Sequence, residues 1–354
     1  MEAVLMAAGK GVRLLPLTAN RPKPMVSFLN KPLIEYIFNT LREATVDKIT
    51  ILVDYYAEKI TDYFGDGSKY GVKVEYSGNN IPFGTAGAVK KVAKKIDDTF
   101  IVGSADVLTK INLRDFVKFH KMKGGVASIA LSTAEDTTQY GIVVKDDGDR
   151  IVRFLEKPKP TEAFSNLINA GIYVVEPEIF DKVPPNTEFD FSKDLFPLLL
   201  KEELPVYGFH FSEYWNDIGR PSTYLGAVRD YLMMQNKIMS VTKEGEGVLI
   251  TGDSCKIPSS INVKGFAIIG DNIEIGRNVE IDSSVIWSST KLGDNTKMVN
   301  AIIGENALID SNVVIGAGSV LGDNCIIGKN VKLEQNTKLW CGSRIGSGTQ
   351  MTSD

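Results

Sequence analysis

Histidine is almost missing from this chain: its 354 residues include only His120 and His210. Nothing beyond residue 210 carries an imidazole, so chemistry that needs a histidine base in the C-terminal part is excluded. Cysteine is as scarce. Cys255, Cys325 and Cys341 are odd in number and form no CxxC pair, which argues against a disulfide framework or a zinc site and fits a reducing cytoplasm. No apolar run approaches the ~18 residues of a membrane span. Glu2 stands where a secretion signal would be basic, and the apolar stretch Ala3–Ala8 is too short for one. Positive charge is not in excess either. Forty basic against 44 acidic residues leave a net charge of −4, which argues against nucleic acid or an anionic membrane held by bulk charge. What remains is an ordinary globular composition, 43% apolar and 24% charged, able to form a sizeable core. At ~100–200 residues per domain the length suggests two domains.

The two parts have different grammar. Residues 1–240 alternate short apolar runs with helical spacing. Ala3–Ala7, Ile49–Val53, Val72–Tyr76 and Phe100–Gly103 read as strands. Leu33, Ile34, Ile37, Phe38 and Leu41 fall on one helical face, and Pro221–Met239 reads as a closing helix. Strands alternating with helices predict an α/β domain with a mostly parallel, Rossmann-like sheet. Ligands in such sheets bind beyond the carboxyl ends of the strands.

From about residue 246 to 345 a period of six takes over. Ile303, Ile309, Ile315, Leu321, Ile327 and Leu333 lie six apart, after an earlier set at Ile269, Ile275 and Ile281. The fifth position of each hexad holds Ala307, Val313, Ser319, Cys325, Val331 and Thr337, small or β-branched throughout. This is the pattern of a parallel β-helix: aliphatic residues point into a narrow prism, small ones fit its tight interior, and glycines such as Gly304 and Gly316 allow the corner. Its expected role is structural, through packing or homo-oligomerisation. Acyltransferases use the same hexads, but the missing histidine argues against that activity.

The first strand runs into Ala8-Gly9-Lys10-Gly11-Val12-Arg13, followed by Arg21-Pro22-Lys23-Pro24. Paired glycines can turn sharply and present N–H groups to an anion. Lys10, Arg13, Arg21, Lys23 and Lys31 stand here with no acid among them, predicting a local phosphate-binding pocket. The Walker pattern fails, because Lys10 precedes a glycine and not a hydroxyl residue. The dinucleotide fingerprint fails at Leu14.

The stretch GKGVRLLPLTANRPKP resembles the signature of sugar-1-phosphate nucleotidyltransferases, with mannose-1-phosphate guanylyltransferases most similar. Further motifs follow in the family's order: Phe83–Ala88, Gly103–Asp106, Tyr140-Gly141, Glu156-Lys157-Pro158, Asn169–Gly171 and Trp215–Gly219. The resemblance spans nearly the whole chain and implies an α/β nucleotidyltransferase domain followed by a left-handed β-helix. It also implies the reaction: a sugar 1-phosphate attacks the α-phosphorus of a nucleoside triphosphate and releases pyrophosphate.

Residue roles come with the resemblance. Arg13 would hold the departing pyrophosphate, Lys23 would bridge phosphates at the reacting centre, and Lys157 would fix the sugar phosphate. Asp106 and Asp217 would bind Mg²⁺, a hard cation suited to carboxylates. Ala8, Gly9, Gly11, Asn79, Gly84 and Thr85 would contact the nucleotide; Gly141, Glu156 and Asn169 would contact the sugar. Val12 stands where the family usually has Thr, and Ala105 where Gly is commoner.

The base is left open by the side chains. An amide at Asn79 matches guanine, uracil and thymine equally well. The expected reaction is GTP with mannose 1-phosphate, with uridylyl or thymidylyl transfer to glucose 1-phosphate as the alternative. A non-catalytic sensor of nucleotide sugars is a third reading, disfavoured because every charge the reaction needs is present.

Overall fold

The computed structural model describes residues 1–78, 83–235 and 247–351. Asn79, expected to read the base, lies outside the described residues. The chain folds as two compact units, Met1–Gly9 with Leu33–Asp217, and Lys10–Pro32 with Ile218–Asp354. The break in sequence grammar near residue 246 therefore differs from the division in space, because the glycine-rich loop and the helix after Ile218 both belong to the second unit.

The first unit is built, in chain order, from β1 (Glu2–Met6), α1 (Leu33–Glu43), β2 (Lys48–Val53), α2 (Ala57–Phe64), β3 (Lys73–Gly78), α3 (Gly84–Ala93), β4 (Phe100–Ser104) and β5 (Val107–Thr109). There follow α4 (Leu113–Lys123), β6 (Ala127–Thr133), β7 (Gly141–Lys145), β8 (Ile151–Glu156), β9 (Leu167–Val175), α5 (Phe196–Lys201), β10 (Val206–His210) and β11 (Trp215–Asp217). The main sheet runs β8-β7-β9-β4-β1-β2-β3. Strands β4, β1, β2 and β3 are parallel, as their alternation with helices predicts. Beyond β4 the sheet continues antiparallel through β9. The α1 face holds as predicted: Leu33, Ile34, Ile37, Phe38 and Leu41 are all buried. Phe100, Val102, Ile129, Tyr173, Phe191 and Phe196 join in one core.

The second unit is a parallel β-helix with α6 (Pro221–Met234) and the loop packed on it. Successive coils pair in register, stepping by 17 residues in earlier coils, as Glu280 with Lys297, and by 18 from Ile302 onward, as Ile302 with Val320 and Val320 with Lys338. Each of these later turns holds three hexads. Every aliphatic residue of the hexad series from Ile303 to Leu333 is buried, as are Ala307, Val313, Ser319, Cys325 and Val331.

The corners differ from expectation. Asparagines occupy the left-handed conformation there, Asn295, Asn312 and Asn330 among them, with φ of 58°, 61° and 59°. Their side chains bond coil to coil, Asn295 Nδ2 donating to Asn312 Oδ1 at 3.0 Å and Asn312 Nδ2 to Asn330 Oδ1 at 3.1 Å. Asparagine tolerates this region because its short polar side chain finds local partners. The glycines after the aliphatic residues serve close approach instead. A Cβ at Gly316 would lie 2.7 Å from the backbone of Gln335, and one at Gly328 2.6 Å from that of Ser347.

Candidate active site

The first unit gathers three groups of expected site residues. The first is a carboxylate pair. Residues 106 and 217 are far apart in sequence, yet β11 pairs antiparallel with β5, and Asp217 stands opposite Val107. Asp106 immediately precedes Val107, so the short ladder carries both acids to one end. Ser104 Oγ donates to Asp106 Oδ1 at 2.6 Å. Two hard oxygen donors fit a magnesium ion that takes its remaining ligands from water and phosphates. Among the described residues no group of three or more His, Cys, Asp or Glu could hold a metal.

The second group is Gly141, Glu156 and Lys157. Gly141 pairs with Glu156 across β7 and β8. A Cβ at 141 would lie 2.8 Å from Glu156 Oε2 and 2.6 Å from the Phe154 ring, so only glycine leaves room for that carboxylate. Burial raises the Glu156 carboxyl above its ordinary pKa, against the opposing charge of Lys157. The Lys157 ammonium lies 3.7 Å from Glu156 Oε1 and its side chain is 60% exposed, so it can swing to a ligand. Its backbone sits at φ 46°, fixed by its N–H donating to the Tyr140 carbonyl at 2.9 Å. Tyr140 in turn packs edge-on against Trp215, whose Nε1 donates to the Ala170 carbonyl. Two aromatics that sequence reasoning quoted only as motif letters thus support the turn that presents Lys157.

The third group is the start of α3. Gly84 has φ 65°, and a Cβ there would lie 2.7 Å from the backbone of Phe189. The Thr85 N–H and hydroxyl both donate to Asp190 Oδ1, at 3.0 and 2.9 Å, and the Phe191 N–H donates to the Thr85 hydroxyl. Residues 189–191 therefore clasp the helix start. Sequence reasoning missed this segment, because nothing in its spacing marks Asp190 as a partner of a residue 105 positions earlier.

Asn169 is heavily committed. Its Nδ2 donates to the Tyr173 and Ser192 hydroxyls at 3.1 and 3.0 Å, and its Oδ1 accepts from the Gly171 N–H at 2.9 Å. Only spare capacity on that oxygen is left for a ligand. Ala8 and Gly9 follow β1 directly, and a Cβ at Gly9 would meet nothing within 4 Å.

In the second unit Gly11 has φ 66°, and a Cβ there would lie 2.8 Å from Lys23 Cβ. Glycine is thus required twice over, and the loop folds back onto Lys23. Thr18 Oγ1 donates to the Gly11 carbonyl at 2.9 Å and locks the turn. Lys23 is 6% exposed, whereas Arg13 is exposed.

One part of the expected electropositive pocket is corrected. Arg21 turns into the β-helix, pairing with Glu305 at 2.8 Å and closely with Asp323, with its guanidinium 4.8 Å over the Trp287 ring. Asn20 also donates to Asp323, at 2.8 Å. The charge of Arg21 is neutralised by carboxylates some 300 residues away in sequence. It anchors the loop and is not available to phosphates.

Comparison with known proteins finds relatives for both parts of the chain. The nucleotidyl transferase family matches residues 2–233, and the left-handed β-helix (LbH) domain of the EIF2B epsilon subunit matches residues 231–333. A UTP--glucose-1-phosphate uridylyltransferase from Synechocystis is 37% identical over 78% of this chain and 76% of its own. A probable mannose-1-phosphate guanylyltransferase from Oryza sativa is 33% identical over 77% of this chain and 73% of its own. The solved structure of HddC from Yersinia pseudotuberculosis, complexed with GMP-PN, is 27% identical, with a TM-score of 0.56 over 65% of this chain and 99% of that one. With its signature loop, its carboxylate pair and a family match over most of its length, the chain belongs to the sugar-1-phosphate nucleotidyltransferases.

Proposed function

We propose that the enzyme transfers a guanylyl group from GTP to mannose 1-phosphate, releasing pyrophosphate. The observation that carries nucleotidyl transfer is the convergence of Asp106 and Asp217 at one end of a two-stranded ladder. The preference for GTP and mannose rests on the sequence of the Gly84–Ala88 and Asn166–Tyr173 stretches, on the guanylyltransferases among the relatives, and on a structural relative bound to a guanine nucleotide analogue. A second reading, UTP with glucose 1-phosphate, is favoured by the relative at 37% identity.

In this reading a sugar phosphate oxygen attacks the α-phosphorus in line, and the bond from that phosphorus to the pyrophosphate oxygen breaks. No covalent enzyme intermediate forms, so catalysis is positioning and charge stabilisation. Arg13 takes the charge that accumulates on the leaving pyrophosphate. Lys23, held by the Gly11 turn, bridges phosphate oxygens at the reacting centre. Lys157 binds the attacking phosphate, and its exposure allows it to move with that group. Asp106 and Asp217 would hold Mg²⁺, which when bound neutralises phosphate charge. Ala8, Gly9 and Gly11 offer backbone to the nucleotide, and Gly84 and Thr85 border the base. With its N–H and hydroxyl given to Asp190, Thr85 contributes shape more than hydrogen bonds. Glu156 accepts from sugar hydroxyls beside the open surface left by Gly141, and Asn169 adds its remaining oxygen capacity.

The test is pyrophosphate release in Mg²⁺ buffer over a grid of nucleoside triphosphates and sugar 1-phosphates. Release confined to GTP and mannose 1-phosphate supports the proposal. Release with UTP and glucose 1-phosphate moves the enzyme to the second reading, and no release with any pair overturns both.

A further inference from the structure

Within the second unit a cavity of about 630 Å³ opens between one face of α6 and the wall of the β-helix. Its α6 side is Ser222, Leu225, Gly226 and Arg229, spaced to share one helix face. Its prism side consists of two columns of stacked coils. Asn300, Gly318 and Asn336 form one, and Ile302, Val320 and Lys338 the other. Arg13 and Arg220 complete the lining.

Two independent features point to a ligand. The first is charge. Arg13, Arg220, Arg229 and Lys338 line this cavity, and no Asp or Glu does so among the described residues. Arg220, Arg229 and Lys338 have no ion pair with a carboxylate among the described residues. Arg220, Arg229 and Lys338 thus place three positive charges on one cavity in a chain of net charge −4, an arrangement that favours a bound anion. The second is Gly226. Mid-helix glycine costs about 1 kcal/mol relative to alanine, and close packing is the usual compensation. Here a Cβ would meet nothing within 4 Å, so close packing does not account for the glycine, and the missing side chain leaves that part of the cavity open.

We propose that this cavity binds a small polyanionic metabolite, a compound carrying at least two phosphate groups on a short carbon frame. Arg220 and Arg229 offer planar forks suited to phosphate oxygens, Lys338 adds a point charge, and Leu225, Ile302 and Val320 give the carbon frame an apolar wall. The volume lies within the range of small-molecule sites. Because Arg13 belongs to both this lining and the signature loop, an occupant alters turnover. That regulatory part rests on the role proposed above for Arg13, whereas binding does not.

The experiment is calorimetric titration of the full-length protein with 2,3-bisphosphoglycerate, which offers no sugar 1-phosphate, and separately with inorganic phosphate. The expected result is saturable binding of the bisphosphate, at least about tenfold weaker in R229Q/K338Q and in Gly226→Leu, and unchanged in Lys157→Ala. Thermal melting checks that each variant is folded. The glycine variant fills the cavity without touching its charge, so the two variants fail independently. No binding to the wild type at millimolar concentration overturns the proposal. So does binding that survives both cavity variants and disappears in Lys157→Ala, since the anion then occupies the reaction site. Pyrophosphate release without bisphosphoglycerate reads the proposed reaction separately. A dead enzyme that still binds the probe refutes that reaction and leaves the cavity site standing.

Discussion

At the residue scale, Lys157 and Lys23 have different surroundings and are expected to fail differently. Lys157 is largely exposed, held by its backbone turn and a 3.7 Å ion pair with Glu156, whereas Lys23 is buried beneath the Gly11 turn. Lys157→Ala should raise KM for the sugar phosphate by roughly tenfold or more with a smaller effect on kcat. Lys23→Ala should lower kcat, because its charge is needed where negative charge develops. Equal small changes in both constants from either variant would remove these assignments. Glu156 gives a second test. Burial raises its carboxyl pKa, so the folded protein holds a proton that the unfolded chain releases. Ionising it costs stability as pH rises from the unfolded value of about 4.3 through the folded one. Glu156→Gln should therefore melt higher than wild type at neutral pH, with the difference vanishing below about pH 4. It should also use sugar 1-phosphate poorly. A melting difference that does not depend on pH would contradict the burial argument. Lys23, Lys157 and Glu156 were named from the sequence through the family resemblance of their motifs. The fate of Arg21 was not, since its partners Glu305 and Asp323 come from another coil of the chain.

At the element scale, the β-helix was the most legible part of the molecule. Its period is imposed by geometry: a coil of three short sides repeats every 17 or 18 residues, and a narrow interior accepts only aliphatic and small side chains at fixed positions. Corner chemistry was misassigned because glycine is the usual left-handed residue, whereas here asparagine ladders take that role and glycine admits the neighbouring coil. The start of α3 shows the opposite situation. Gly84 was expected to contact the nucleotide, and it also lies against the Phe189 backbone on the protein's own side. Gly84→Ala must combine a positive φ with that collision, and it should cost about 2 kcal/mol or more, read as a lowered urea midpoint. Asp190→Ala removes the acceptor of both Thr85 donors. It should weaken nucleotide use while leaving the sugar-phosphate KM nearly unchanged, since Asp190 holds the helix start and Lys157 does not depend on it for its backbone bond.

At the scale of the whole molecule, the question is what the β-helix does for the reaction. Its repeats alone suggested assembly, so that deleting residues from 246 onward would disturb oligomeric state before chemistry. The packing of the signature loop argues the reverse order. Lys10–Pro32 belongs to the same compact unit as the prism. Arg21 is held by Glu305 and Asp323, Asn20 by Asp323, and Asn30 donates to the Ile269 carbonyl at 2.8 Å. Phe28 packs edge-on against Tyr224 and Tyr231 of α6, and the Tyr224 hydroxyl donates to the Ser27 carbonyl at 2.6 Å. Removing the prism takes away the carboxylates and leaves the Arg21 charge without its partners in a segment that carries Arg13 and Lys23. Truncation before residue 246 should therefore abolish pyrophosphate release at any protein concentration. A milder change separates anchoring from assembly. Asp323→Ala leaves the aliphatic hexad positions unchanged but removes the shared acceptor of Asn20 and Arg21, together with the bond from the Glu305 N–H to Asp323 at 2.9 Å, and breaking one partner from a buried pair costs about 3–5 kcal/mol locally. That variant should keep the wild-type mass in solution and lose most of its kcat, with the sugar-phosphate KM little changed because Lys157 lies in the other unit. If Asp323→Ala instead changes the mass and retains full turnover, the prism acts through assembly, and the loop holds its shape without the clamp.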